Sequence, residues 1–185
     1  MTRAEFLEWE DRQPLRWEFD GVSPEAMIGG SAAHAIIQGN LAAAMVPRLR
    51  GKACQYIGND LKILVGTASS RYPDGFVLCS PVANRATSVR EPVVIFEVLS
   101  PSTSSKDHIV KNREYETTPS VQRYVMLEQD RIGATVFSRD SGEWRGRVLA
   151  AGDTLAMPEI EAEVPLAELY EGLAFEDDED GGAQA

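Results

Sequence analysis

Residues 91–111 read E-P-V-V-I-F-E-V-L-S-P-S-T-S-S-K-D-H-I-V-K, and the first third of this stretch decides the fold. From Val93 to Leu99 every residue is apolar except Glu97. The run is β-branched and closed by Pro92 and Pro101, which predicts a strand covered on both faces, as in the interior of an α/β sheet. An ionised carboxylate in such a strand is costly unless it is paired, protonated or bound to a metal. Glu97 is therefore a functional candidate on energetic grounds.

Upstream, Tyr72–Cys79 (Y-P-D-G-F-V-L-C) predicts a neighbouring strand with Asp74 at its beginning. Gly66–Arg71 predicts a turn. Ala53–Val65 alternates but breaks at Gly58-Asn59-Asp60, predicting one bulged strand or two short ones. Before it, Ser31 is placed to cap a helix over Ala32–Leu49, with Ile36, Ile37, Leu41, Ala44, Met45 and Leu49 giving one apolar face and Gly51 as the stop. Thr2 and Glu5 have capping-box spacing for a short helix over residues 3–11. L-R-W-E-F-D-G-V then runs into an Asp20-Gly21 hairpin turn.

Downstream, Lys106–Thr117 predicts a helix ended by Pro119. Asp107, Lys111 and Tyr115 share one of its faces at i, i+4, i+8. Arg123–Glu128 predicts another buried strand. Ile132–Arg139 and Trp144–Leu149 predict a hairpin across Asp140-Ser141-Gly142. Val164–Tyr170 predicts a short helix or a strand and turn. The expected architecture is one α/β (α+β) domain over residues 1–175: a mixed β-sheet flanked by helices, with an added C-terminal β-hairpin. Residues 176–185 are expected to be a disordered acidic tail.

The length suits one domain with a full core. No apolar run approaches the roughly 20 residues of a membrane span, and the charged N-terminus lacks the parts of a secretory signal, so a cytoplasmic protein is expected. Cys54 and Cys79 stand far apart with no C-x-x-C, predicting buried free thiols. The formal net charge is −11, and the body stays acidic without the Glu176–Asp180 run. An acidic body argues against phosphate-driven binding to long nucleic acid, yet allows a carboxylate site that works through a divalent ion.

Asp74 and Glu97 stand at ends of adjacent strand-like segments. Two carboxylates converging there suit a hard cation such as Mg²⁺, which takes oxygen ligands and keeps several waters. Such an ion polarises a phosphodiester and activates an attacking water, and a nearby lysine can orient that water.

P-D at 73–74, E-V-L-S-P-S-T at 97–103 and D-x-x-x-K-x-x-x-Y at 107–115 together resemble the Uma-two family of restriction-endonuclease-like proteins, within the PD-(D/E)XK nuclease superfamily. The resemblance spans about residues 2–170, including R-W-E-F-D-G-V and the lone His34 after a Gly-rich turn. It implies an Mg²⁺- or Mn²⁺-dependent endonuclease acting on nucleic acid. The metal would be held by Asp74, Glu97 and a main-chain carbonyl such as that of Val98. The superfamily pattern sets lysine two residues after the second acid, where this chain has Leu99. The resemblance allows a lysine from another element, with Lys111 first and Lys62 second. It also places an acid at Glu18, which could approach the metal, and leaves His34 and Tyr115 as further candidates.

Each candidate also has a plain structural reading. Asp74 suits a turn or cap after Pro73, Asp107 and Lys111 suit a surface i, i+4 pair, Glu18 can pair with Arg16, and His34 can bond its own loop. The functional alternative to an endonuclease is a catalytically inactive nuclease fold acting as a binding module. The β-rich C-terminal part and the resemblance both suggest a homodimer.

Overall fold

Strand β8 (Val94–Val98) is buried at all five positions, as its apolar run predicts. In the computed structural model, which describes residues 1–27, 29–100 and 105–175, it lies inside a six-stranded sheet. The order is β11 (Glu143–Ala150), β10 (Gly133–Asp140), β9 (Arg123–Leu127), β8, β6 (Gly75–Leu78) and β3 (Gln55–Gly58). Only the β8–β9 pairing is parallel in this sheet, and its crossover is α3 (Ser105–Glu116). A parallel pair needs such a crossover, whereas β10 and β11 join through Ser141 and Gly142, both at positive φ (51° and 88°).

Alternate residues of β8 feed two cores, one on each face. Val94, Phe96 and Val98 pack with Ile37, Leu41 and Met45 of α2 (Ala32–Leu49). That core also takes the small hairpin β12 (Thr154–Met157)–β13 (Ala162–Pro165) and the 3₁₀ turn Leu166–Tyr170. On the other face, Ile95 packs with Tyr115 of α3 and with Ile63 and Val65 of β4 (Lys62–Val65). β4 belongs to a second sheet ordered β2 (Pro24–Ala26), β1 (Trp17–Phe19), β5 (Ser69–Arg71), β4 and β7 (Ser88–Val89). The molecule is thus a mixed α+β fold with its main sheet between α2 and α3. No described helix is long and apolar enough to cross a membrane.

Local signals gave element boundaries closely. Thr2 and Glu5 form the capping box of α1 (Arg3–Glu10), and Ser31 accepts from the His34 amide to start α2. Gln55–Val65 resolves into two short strands in different sheets, and Val164–Tyr170 into strand and turn. Residues 176–185 lie outside the described residues.

Two expectations are corrected. Ser69–Arg71, read as a turn, is strand β5, paired with β1 and β4 and wholly buried. Its polar side chains misled the reading, because the carboxylates that bond Ser69 and Arg71 come from far along the chain. Cys54 and Cys79, expected as free thiols, form a disulfide. The β3–β6 register sets Gln55 opposite Leu78, so one step further sets the two cysteines face to face, a proximity that 25 residues of separation conceal.

Candidate active site

The site forms where β6 and β8 begin and end side by side. Their antiparallel register pairs Gly75 with Phe96. Carried one residue further, it sets Asp74 opposite Glu97 on the same face of the sheet, the relation that brings Cβ atoms within ~4.5–5.5 Å in a regular ladder. The amide of Val98 donates to Asp74 Oδ2 at 2.6 Å, tying the acid to the end of β8. Glycine follows Asp74 for a steric reason, since a Cβ at Gly75 would collide with the Tyr56 hydroxyl. Burial first, and then the Asp74 charge, push the Tyr56 phenol up, so it faces the acid as a neutral group.

The start of α2 closes one side. Gln38 Nε2 donates to Asp74 Oδ1 at 2.5 Å, and His34 Nε2 lies 3.4 Å from Oδ2. The hydrogen bond to Asp74 raises the His34 pKa; burial opposes it, while the Asp74 charge and the Val98 backbone add to it. Sequence reading had singled out His34 but missed Gln38. Their i, i+4 spacing on one helix face was the available signal.

From α3, the Lys111 ammonium lies 3.3 Å from both Glu97 oxygens and 3.2 Å from Glu18 Oε2. The Tyr115 hydroxyl donates to Glu97 Oε1 at 3.3 Å. These distances exceed the ~2.7–2.9 Å of a tight charge-assisted bond, so the ammonium is shared among carboxylates rather than locked on one. Burial pushes the Glu97 carboxyl up to about 8, with Lys111 opposing and Asp74 and Glu18 reinforcing the rise.

Glu18, from β1, accepts from the Tyr72 amide at 2.9 Å and from Arg71 Nη1 at 3.3 Å. The fully buried Arg71 also grips Glu114 of α3 through two bonds of 2.8 and 2.9 Å. The result is an alternating chain, Glu114–Arg71–Glu18–Lys111–Glu97, in which β1, β5, α3 and β8 meet. Arg71 and Glu114 were absent from the sequence-based candidates. Arg71 lay in the supposed turn.

The structure thus gathers Asp74, Glu97, Val98, Lys111, Glu18, His34 and Tyr115. Lys62 goes elsewhere: its ammonium bonds Glu10 at 2.5 Å, in a pair whose side chains are each 5% exposed, and Tyr72 also donates to Glu10. We expect Lys62→Met to cost about 3–5 kcal/mol by leaving the buried Glu10 charge unpaired. The Glu10→Gln/Lys62→Met double variant should recover part of that loss in urea unfolding. Asp107 sits in α3, but its side chain lies outside the described residues.

Whether these groups suit a metal follows from their chemistry. Among the described residues, no three His, Cys, Asp or Glu side chains are grouped to hold an ion by themselves. Two carboxylates and a main-chain oxygen remain, which suits Mg²⁺, an ion that fills its shell with water. Charge points the same way. Among the described residues, the cluster holds four acids and two permanent cations: Arg71 and Lys111 pair with Glu18, Glu97 and Glu114, while Asp74 lies against His34.

The chain belongs to the Uma2 family, described as "Putative restriction endonuclease", whose model matches residues 3–167. It is 33% identical over 178 residues to the uncharacterized protein slr1290 of Synechocystis sp., covering 95% of this chain and 94% of that one. A second uncharacterized Synechocystis protein, sll1609, is 27% identical over 133 residues, 70% of this chain and 75% of its own length. Among solved structures, the fold matches an Anabaena variabilis protein described as "a putative nuclease belonging to DUF820". The TM-score is 0.78 at 16% identity, covering 92% of this chain and 97% of that one.

Proposed function

We propose that this protein is a divalent-metal-dependent endonuclease that hydrolyses phosphodiester bonds in nucleic acid. The observation that carries the reading is Lys111 lying 3.3 Å from Glu97, which supplies from α3 the cation that Leu99 does not. This proximity favours an enzyme over a binding module built on the same fold. Asp74, Glu97 and the Val98 carbonyl would hold Mg²⁺ or Mn²⁺; bound there, the ion would supply Lewis-acid stabilisation of charge at phosphorus and a more acidic water. The remaining work falls to the protein. Gln38 and the Val98 amide fix the Asp74 carboxylate. Lys111 orients the attacking water and offsets charge developing on the phosphoryl oxygens. Glu18, braced by Arg71, holds Lys111 beside Glu97, and Tyr115 fixes the Glu97 rotamer from the other side.

We extend the proposal to a homodimer, for which the exposed edge strand β11, with Val148 78% accessible, offers one surface. Calorimetric titration with Mg²⁺ or Mn²⁺ tests the site. Saturable heat is expected with the natural protein and not with Asp74→Ala/Glu97→Ala. Equal heat from both removes the metal site from the proposal, and with it the mechanism.

A further inference from the structure

We infer that the strand cleaved at this site enters unpaired, so that the substrate class is single-stranded nucleic acid or an unpaired end rather than continuous duplex. This rests on the nuclease reading above and adds what the cavity accepts.

Duplex binding is driven by phosphate neutralisation. A protein that holds a duplex makes on the order of 6–10 lysine or arginine contacts to phosphates, across a strongly positive face of about 1,000–2,500 Å². This chain carries 29 Asp and Glu against 18 Lys and Arg. Many of its cations are already turned inward or tied along the surface. Arg48 forks onto Glu168, Arg123 onto Glu159 and Arg145 onto Glu143, while Arg3 and Lys52 bond main-chain carbonyls. Around the site itself, the permanent cations among the described residues are Arg16 and Lys111. Lys111 sits among the carboxylates, and Arg16 is already bonded to the exposed Asp60 at 2.5 Å. A duplex laid across this face would meet acid.

The cavity offers what an unpaired nucleotide needs instead. It measures about 860 Å³ and has the acidic cluster in its wall. That volume lies within the ~300–1,000 Å³ that encloses a drug-sized ligand, room for about one or two nucleotides. Its lining carries apolar side chains, including Leu15, 58% exposed, and Met27, which can lie against the face of a base. It also carries the side-chain amides of Asn59 and Gln129: Asn59 donates from Nδ2 to Gln38 and Gln129 accepts at Oε1 from Ser31, and the Asn59 oxygen and the Gln129 NH2 can bond base edges. In a duplex those base faces are stacked and the Watson–Crick edges are occupied. They become available only in single strands, where apolar contact with the face and hydrogen bonding to the edge supply affinity that phosphate charge does not. Enzymes that must bring a nucleotide into a pocket act on single strands or first extrude it, at a cost of a few kcal/mol.

The test uses the full chain with Mg²⁺ and with Mn²⁺ on one short sequence prepared as a single strand, as a blunt duplex and as a duplex with an unpaired tail, each in deoxyribo and ribo form. We expect kcat/KM for the single strand to exceed that for the blunt duplex by about ten-fold or more, with cuts in the tailed substrate confined to the tail. Leu15→Ala should raise KM for the single strand by about five-fold or more, the size of a lost base contact, with kcat nearly unchanged. Equal or faster cutting of the blunt duplex overturns this inference and leaves the nuclease reading intact. An unchanged KM in Leu15→Ala overturns it as well. Cutting of none of the substrates with either metal overturns the nuclease reading and this inference together.

Discussion

If the proposed nuclease activity holds, Glu97→Gln should lower phosphodiester cleavage by roughly a thousand-fold or more, yet leave the metal-free protein at least as stable as its parent at pH 8. The first half follows from the proposed role of the carboxylate as a metal ligand. A metal ligand supports several kcal/mol of transition-state stabilisation, and each ~1.4 kcal/mol is a factor of ten in rate. The second half follows from the environment. Glu97 is 8% exposed, and its carboxyl is pushed from 4.5 up to about 8, first by burial and then by Asp74 and Glu18, against the pull of Lys111. A carboxyl with a folded pKa above its unfolded one binds its proton more tightly when folded. Its contribution to stability is fully present below about pH 4.5 and is lost as pH rises through about 8. In chelator, the melting temperature of the natural protein should therefore fall between pH 5 and 8 more steeply than that of Glu97→Gln, which lacks this carboxyl and keeps only the contribution of His34 that both proteins share. Saturating Mg²⁺ should flatten the slope of the natural protein, because a cation favours the ionised carboxyl that burial resists. An equally steep decline in both proteins would refute the assignment to Glu97. A variant that keeps a tenth of the cleavage rate would remove Glu97 from the metal site.

How much of this was legible in the sequence depends on the range of the interaction. The Thr2–Glu5 box and the Ser31 cap are satisfied within one turn of chain, and the helices they start begin where the residues say. The buried run of β8 showed its burial directly, because no solvent-facing strand is apolar at alternate and intervening positions alike. Glu97 was conspicuous there for the same reason. Asp74 and Glu97 could be set side by side because adjacent antiparallel strands leave few registers. The chain Glu114–Arg71–Glu18–Lys111 was another matter. Glu18 and Lys111 were candidates through the family resemblance, but Arg71 of β5 and Glu114 of α3, which link them, each read alone as a turn residue or a surface charge until the two sheets close on one another. The exchange between Lys62 and Lys111 has the same origin. Both were long cations within reach of the carboxylates on sequence grounds, and the capture of Lys62 by Glu10 depends on where α1 packs.

Lys111→Met should slow cleavage by about a hundred- to thousand-fold, the scale expected for losing one positioned donor at a developing oxyanion. Methionine keeps the length of the lysine stem, so the loss isolates the ammonium. Removing it leaves Glu97 and Glu18, both buried, without the charge that lies 3.2–3.3 Å from them, so the variant should also melt lower as pH rises. Stability and catalysis can be separated through position 99. Residues 97 and 99 lie two apart in an extended segment, so their side chains share a face. Leu99 packs, partly buried, against the apolar cluster around Ile63 and Ile95. A lysine there can cover that cluster with its stem and carry its ammonium toward Glu97. Leu99→Lys in the Lys111→Met background should then recover cleavage by about ten-fold or more over Lys111→Met alone, although Leu99→Lys by itself adds little. Lys111→Arg should not rescue to the same degree, since a planar fork replaces a compact ammonium shared by two carboxylates. If folded Lys111→Met cleaves within about three-fold of the natural protein, the lysine is a structural counter-ion and the water is oriented by another group. If Lys111→Met is inactive and Leu99→Lys restores the melting temperature but no cleavage, charge balance at Glu97 can be met from either element while catalysis requires the approach from α3.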